Sequence, residues 1–203
     1  TVAGNLIGGL VSWDIASGQT LSSVSDTQSN TYTLGTAVND TTNNQGQQPF
    51  YAFNIVGGAA IVVTATFSAA APGRRIVAHE FSGIATVSPF DVNAQQFQAA
   101  PGTGADGATS TAAITTVDGD LIYGVVASTG GDQTWTAGTN FTEIEGSSAE
   151  PSRLGAEYLI QATQGSIAAT FTLASNLRTA TFMLAFKAKA IVVPLRSLLG
   201  VGR

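Results

Sequence analysis

His79 and Glu80 are the one place where an imidazole stands beside a carboxylate, because the chain has a single histidine. Both fall in an alternating apolar run, where neighbouring side chains point to opposite faces of a strand. They cannot work as a dyad, and His79 shares its face with Val77 and Phe81, which places the ring in or at the edge of a core. Glu143 and Glu145 read differently. Two apart on a strand, they share a face about 7 Å apart, a separation that loosely fits paired glycosidase carboxylates. The plainer reading is a solvated face opposite Ile144. No G-x-S-x-G turn occurs, so a serine hydrolase lacks its nucleophile elbow. Gly102, Gly104 and Gly107 match G-x-G-x-x-G, but Ala108-Thr109-Ser110-Thr111 follows where a nucleotide site needs a helix. Asp26, Asp40 and Asp132 offer hard oxygens that suit calcium, with no spacing that selects them. Asp118 and Asp120 read as turn residues. Trp135, beside Asp132 in a polar stretch, is the leading aromatic for stacking on a sugar ring or entering a partner; the alternative is a core edge. Trp13 reads as core. No metal and no cofactor is expected.

Composition narrows the classes further. The chain has 203 residues, no cysteine, 8 basic and 13 acidic side chains, and 44% apolar residues. Without cysteine there is no disulfide framework, thiol catalysis or cysteine-held metal. A pI near 4.6 argues against nucleic acid as the main partner. No apolar run reaches the length of a membrane span. Thr1 reads as a processed or trimmed start, with no basic-then-apolar leader.

These groups must be positioned by strands. Apolar residues alternate with period two at Ile61, Val63, Ala65 and Phe67, and again at Ala180, Phe182, Leu184 and Phe186. Further β-rich runs lie near 5–15, 20–25, 31–38, 50–56, 75–81, 91–98, 108–116, 120–128, 140–145, 153–161 and 166–173. Asp118-Gly119 is a hairpin signal, and each proline falls at or outside the edge of a run. Residues 39–48 read as an exposed polar loop and 99–107 as a Gly-rich connection. The expected fold is all-β: one two-sheet antiparallel β-sandwich of jelly-roll type over residues 1–187.

Four segments, taken together, carry a resemblance. They are Val24-Ser25-Asp26-Thr27-Gln28-Ser29-Asn30-Thr31-Tyr32, Tyr51-Ala52-Phe53-Asn54-Ile55-Val56-Gly57-Gly58, His79-Glu80-Phe81-Ser82-Gly83 and the closing Ala185-Phe186-Lys187. Over residues 4–187 the chain resembles an uncharacterised β-sandwich module of bacterial secreted or surface proteins and phage structural proteins. The resemblance implies a non-catalytic extracellular or virion module and brings no active site with it.

Residues 188–203 differ in kind. Lys187, Lys189, Arg196 and Arg203 supply four of the eight basic groups, so residues 1–186 carry 4 − 13 = −9 and the rest +4. Ile191, Val192, Val193, Leu195, Leu198, Leu199 and Val201 accompany them. Pro194 followed by Leu195, Leu198 and Leu199 permits a helical turn or two. So many aliphatic groups read as an assembly arm, with Lys187, Lys189, Ile191, Leu195, Arg196, Leu198, Leu199 and Arg203 at an interface. The expectation is a homo-oligomeric structural or attachment protein outside the cell or on a virion surface: a decoration, cement or fibre component. The alternatives are a carbohydrate-binding module and a glycan-directed hydrolase.

Overall fold

The computed structural model describes residues 1–15, 17–99, 108–146 and 152–189, with 108–110 as backbone alone. In chain order the strands are β1 (Leu6–Asp14), β2 (Leu21–Asp26), β3 (Thr33–Leu34), β4 (Val38–Asp40), β5 (Gln45–Ala52), β6 (Val63–Phe67), β7 (Arg75–Phe81) and β8 (Phe90–Gln98). Then come β9 (Ala108–Ile114), β10 (Asp120–Ser128), β11 (Trp135–Ala137), β12 (Thr142–Glu145), β13 (Leu154–Gln161), β14 (Ser166–Leu173) and β15 (Thr179–Phe186). No helix occurs among the described residues.

The architecture is all-β and antiparallel, and the described residues form four sheets where the sequence reading had two. Two inner sheets, β3-β5-β1-β7 (with β4 also on β5) and β12-β13-β10-β15-β8, face each other. Between them Leu6 and Leu10 of β1 meet Leu121, Tyr123, Val125, Phe182, Leu184 and Phe186. Ile7, Val11 and Trp13, on the other face of β1, pack under the outer pair β2-β6. On the far side, Ile122, Val126 and Met183 lie under the outer sheet β11-β14-β9, against Ala169, Phe171 and Trp135. Strands β1, β10 and β15 are therefore covered on both faces. That explains the near-continuous apolar runs Leu121–Ala127 and Ala180–Phe186, since a strand buried on both sides has no solvated face. Leu184 is 1% exposed. Leu184→Ala is expected to cost about 2–5 kcal/mol in urea unfolding; a loss under about 1 kcal/mol would show that the central core is misassigned.

The stack is built from a repeat. In the first half β1 pairs with β5 and β7, β2 with β6, and β3 and β4 with β5. In the second half β10 pairs with β13 and β15, β11 with β14, and β12 with β13. The registers superpose the sequences: Ile7 opposes Ala52 as Ile122 opposes Leu159, and Gly9 opposes Ala78 as Gly124 opposes Met183. Leu6-Ile7, Gly9 and Val11 thus correspond to Leu121-Ile122, Gly124 and Val126. Tyr51 corresponds to Tyr158, Thr64 and Thr66 to Thr170 and Thr172, and Phe81 to Phe186. The halves dock reciprocally. Tyr51 of the first meets Phe186 of the second, centroids 5.1 Å apart, and Tyr158 of the second meets Phe81 of the first at 5.9 Å. That reciprocity is the signature of a two-fold contact. Among the described residues the second half has two additional strands: β8 on the outer edge of β15, and β9 on that of β14.

Three local expectations change. Residues 39–48 are not an exposed loop: β4, a turn at 41–44 and the start of β5 occupy them, with Asp40, Gln45 and Gln47 buried. The stretch is polar, yet β5 lies between β1 and β3/β4, so its glutamines are enclosed by neighbours. Pro49 sits inside β5, opposite Leu10. Its carbonyl accepts from Gly35 N, so its ring nitrogen faces the same gap between β3 and β4, where no ladder donor is required. Asp118-Gly119 makes a turn, with Gly119 at φ 81°, but not a hairpin, because β9 and β10 belong to different layers.

Candidate functional site

Pairing of β7 with β1 turns His79 and Phe81 toward the second half, and a groove of about 350 Å³ opens there. His79, Phe81, Leu121, Ile144, Tyr158 and Ile160 line it. His79 Nδ1 lies 2.9 Å from the Tyr123 hydroxyl, and the ring also hydrogen-bonds the Ile144 backbone. Burial pushes its pKa below the ordinary histidine value. Burial likewise, with Glu145 adding to it, pushes the Tyr123 phenol well above 10. The imidazole is therefore neutral at pH 7 and joins two layers. Glu80 points the other way, as alternation requires, and its Oε1 accepts from Val2 N and Asn5 Nδ2.

Glu143 and Glu145 do not share a face, contrary to the strand-spacing expectation. A bulge in β12 sets Glu143 opposite Glu157 and Glu145 opposite Ala156, so one extra residue is absorbed and the alternation resets. Ala156 belongs to the central core, on the Tyr123 side. Glu157 points toward the outer sheet, where its Oε2 accepts from Gly138 N at 2.7 Å and its Oε1 from Thr170 N at 2.9 Å. A paired-carboxylate glycosidase geometry is not formed by Glu143 and Glu145.

Trp135 is 1% exposed, in β11 against Phe171, with its Nε1 donating to Ser152 O at 3.0 Å. It is out of reach of a sugar ring; the polar residues around it misled because β11 is short and its other face is solvated. Asp132 is exposed and pairs loosely with Arg153 at 3.9 Å. Trp13 is buried, as expected, and donates to Gln19 O. Asp26 accepts from Gln28 N, Asn30 and the Tyr32 hydroxyl, closing the loop after β2. Asp40 binds Arg178 Nε at 2.6 Å and Thr42 N at 3.0 Å. The Gly102–Gly107 pattern lies outside the described residues, as do Ile191, Leu195, Arg196, Leu198, Leu199 and Arg203. Lys187 and Lys189 are described: Lys187 Nζ is 3.8 Å from Asp91 Oδ1, and Lys189 N donates to Gly83 O at 2.7 Å.

Asp120, expected in a turn, instead opens β10 and belongs to a buried cluster at the root of that segment. Asp120 is fully buried and faces Asp91, which accepts from Thr116 N at 2.7 Å and from the Thr116 hydroxyl. Burial, then the Asp91 carboxylate, pushes the Asp120 pKa up to about 7. Asp91 moves down: burial opposes this, but its hydrogen bonds and Lys187 outweigh burial. Of the two carboxyl groups, Asp120 is the one that keeps its proton as pH falls below about 7. No local motif marks this pair; β10, β15 and β8 bring it together from residues 29 apart.

Burial also pushes Glu157 up to about 7, against the pull of its two backbone donors. An acid raised from 4.5 to about 7 keeps its proton in the folded chain while the unfolded chain loses it. Its contribution to stability is therefore intact below pH 4.5 and declines as pH rises toward 7, by about 3 kcal/mol for the full shift. Asp120 acts in the same direction from pH 3.8 upward. His79, lowered by burial, opposes both below pH 6.5. Glu157→Gln is expected to lower stability, because an amide NH₂ faces a backbone N–H, and to flatten the decline between pH 5 and 7. Urea midpoints at several pH values read the slope; an unchanged slope would rule out a neutral Glu157.

No protein-family model, curated protein or solved structure matches the chain.

Proposed function

We propose that the chain is a non-catalytic structural or attachment protein of an extracellular or phage-particle assembly, in the role of decoration, cement or fibre component. One observation carries the reading: the polar groups that could do chemistry tie layers of the stack together. His79 with Tyr123 joins the two inner sheets, as does Asp40 with Arg178, and Glu157 joins an inner sheet to an outer one. Such cross-links serve a rigid body. The resemblance to surface and phage modules agrees, and the alternation of strands between two sheets in each half supports a jelly-roll reading of the unit. The partners are further protein subunits, in the first place copies of this chain. Val87, Ile114 and Ile160, each more than half exposed, supply aliphatic contact for them.

Light scattering over a micromolar range tests the reading and is expected to give a defined homo-oligomer. A monomer throughout, with saturable glycan binding, would overturn it in favour of a carbohydrate-binding module. The groove walled by Phe81 and Tyr158 is where that binding would then fall.

A further inference from the structure

We propose that the chain cross-links itself: Lys187 and Asp91 condense to an amide, with Asp120 as the proton shuttle. The bond is made once, by the chain's own side chains. The inference goes beyond the assembly reading and does not rest on it.

Three adjacent strands bring the groups together. Phe186 pairs with Leu121 of β10 on one side and with Phe90 of β8 on the other. The residues next to these in the chain are Lys187, Asp120 and Asp91. Met183 and Ala185 pack with Ile122 under the outer sheet, so alternation turns Lys187 and Asp120 to that same face. The lysine backbone is held on both sides: its N donates to Pro89 O at 2.7 Å, and its carbonyl accepts from Ala85 N at 3.0 Å. From this anchor Nζ stands 3.8 Å from Asp91 Oδ1. The flexible four-carbon stem lets the amine close the remaining distance to Cγ.

The surroundings of Asp91 suit an acyl group under attack. Its side chain is 2% exposed, against 36% for that of Lys187. Thr116 N donates to Asp91 Oδ2 at 2.7 Å, and the Thr116 hydroxyl donates to Oδ1. Donors fixed on the carboxyl oxygens stabilise the negative charge that grows there when an amine adds. Asp120 faces the same carboxyl group, fully buried, and neither of its oxygens receives a hydrogen bond. A carboxyl group buried without a donor is costly as an anion. Burial and Asp91 both favour its acid form, which is the form that a shuttle must start from.

The steps balance without an oxidant or a further reactant. The Lys187 ammonium passes a proton to Asp91 Oδ1, leaving a neutral amine beside a neutral carboxyl group. The amine electron pair attacks Cγ, the N–C bond forms, and charge moves onto Oδ2 under the Thr116 N–H. Asp120 gives its proton to Oδ1 as the Cγ–Oδ1 bond breaks and water leaves. Its carboxylate then takes a proton from the new amide nitrogen. One ammonium and one carboxylate become one amide and one water, and Asp120 ends as it began. Holding the partners in place supplies the effective concentration that such a condensation lacks in water. A chain without cysteine thereby gains a covalent brace between the end of β15 and the start of β8.

Intact mass tests this directly. The purified full chain, held at neutral pH, is expected to weigh one water less than its sequence. Proteolysis is expected to release a branched peptide that joins the Asp91 and Lys187 segments. Lys187→Arg keeps the charge without the primary amine and is expected to show the full sequence mass. Asp120→Asn is expected to form the bond about a hundredfold or more slowly, followed as mass against time. A parent chain that keeps the full sequence mass after days at neutral pH would overturn the proposal. So would a loss of water that persists in Lys187→Arg, which belongs to an aspartyl succinimide such as one at Asp118-Gly119. A folded Asp120→Asn chain that bonds as fast as the parent would overturn the role of Asp120 as shuttle. Mass is read independently of oligomeric state, so a bonded monomer supports this inference while counting against the assembly reading.

Discussion

Gly9→Ala is expected to lower the stability of the chain by about 3 kcal/mol or more. A Cβ at Gly9 would lie against the Val77 carbonyl oxygen and the Phe50 ring at separations that no real contact reaches. The carbonyl is part of the β1–β7 ladder and cannot withdraw without breaking it. Overpacking usually costs about 1–3 kcal/mol, and a backbone obstacle belongs at or above the top of that range, a large fraction of a typical 5–15 kcal/mol stability. Gly124, its equivalent, is less confined: the added carbon would meet Glu157 Cγ at 2.8 Å, a side-chain atom that can shift, and Ala169 Cβ at 2.9 Å, which moves only with β14 but is met at a longer distance than the obstacles at Gly9. Gly124→Ala should therefore be the milder of the two, at about 1–3 kcal/mol. Urea unfolding of both variants checks the order. A Gly9→Ala chain within about 1 kcal/mol of the parent would mean that the Val77 carbonyl and the Phe50 ring do not close on Gly9 as described.

Trp135→Ala should be comparably damaging, at about 3–5 kcal/mol. The ring is enclosed by Phe171, and Gly146 and Gly155 leave room for its indole, which a Cβ at either glycine would strike. The variant also leaves Ser152 O without its indole donor. Trp135→Phe retains much of the packing and should lose less. The pair separates a structural tryptophan from a sugar platform. A platform residue, once removed, lowers glycan binding while the unfolding midpoint stays in place; a core residue lowers the midpoint. An unmoved midpoint in Trp135→Ala would return the ring to the surface.

The alternating runs made the strand class legible, and the doubly apolar run Leu121–Ala127 marked a strand covered on both sides. Reading it that way would have called for more than two layers. The repeat was also present, in Leu-Ile-x-Gly-x-Val at 6–11 and 121–126 and in Gln-Thr before Leu21 and Trp135. It is faint because it rests on a few small or buried positions, and the spacing between equivalent residues drifts from 115 at β1 to 105 at β7. The misread site residues failed for local reasons. The β12 bulge separates Glu143 from Glu145, and no two-residue spacing shows a bulge in advance. Trp135 was judged by polar neighbours that face solvent while its own side chain turns inward. The Asp91–Asp120 pair depends on strand order alone.

The docking of the halves bears on how copies of the chain can combine. Gly8 and Tyr123 hold equivalent places in the registers, and a Cβ on Gly8 would stand 2.9 Å from the Tyr123 ring. One half supplies a hollow and the other the knob that fills it. Two first halves brought together would set hollow against hollow and leave a void. Two second halves would set ring against ring. His79 and Leu184, also equivalent, sharpen the difference, since the imidazole needs the Tyr123 hydroxyl that a first half lacks. The halves are thus no longer interchangeable, and if two chains were to exchange segments, each first half would still have to find a second.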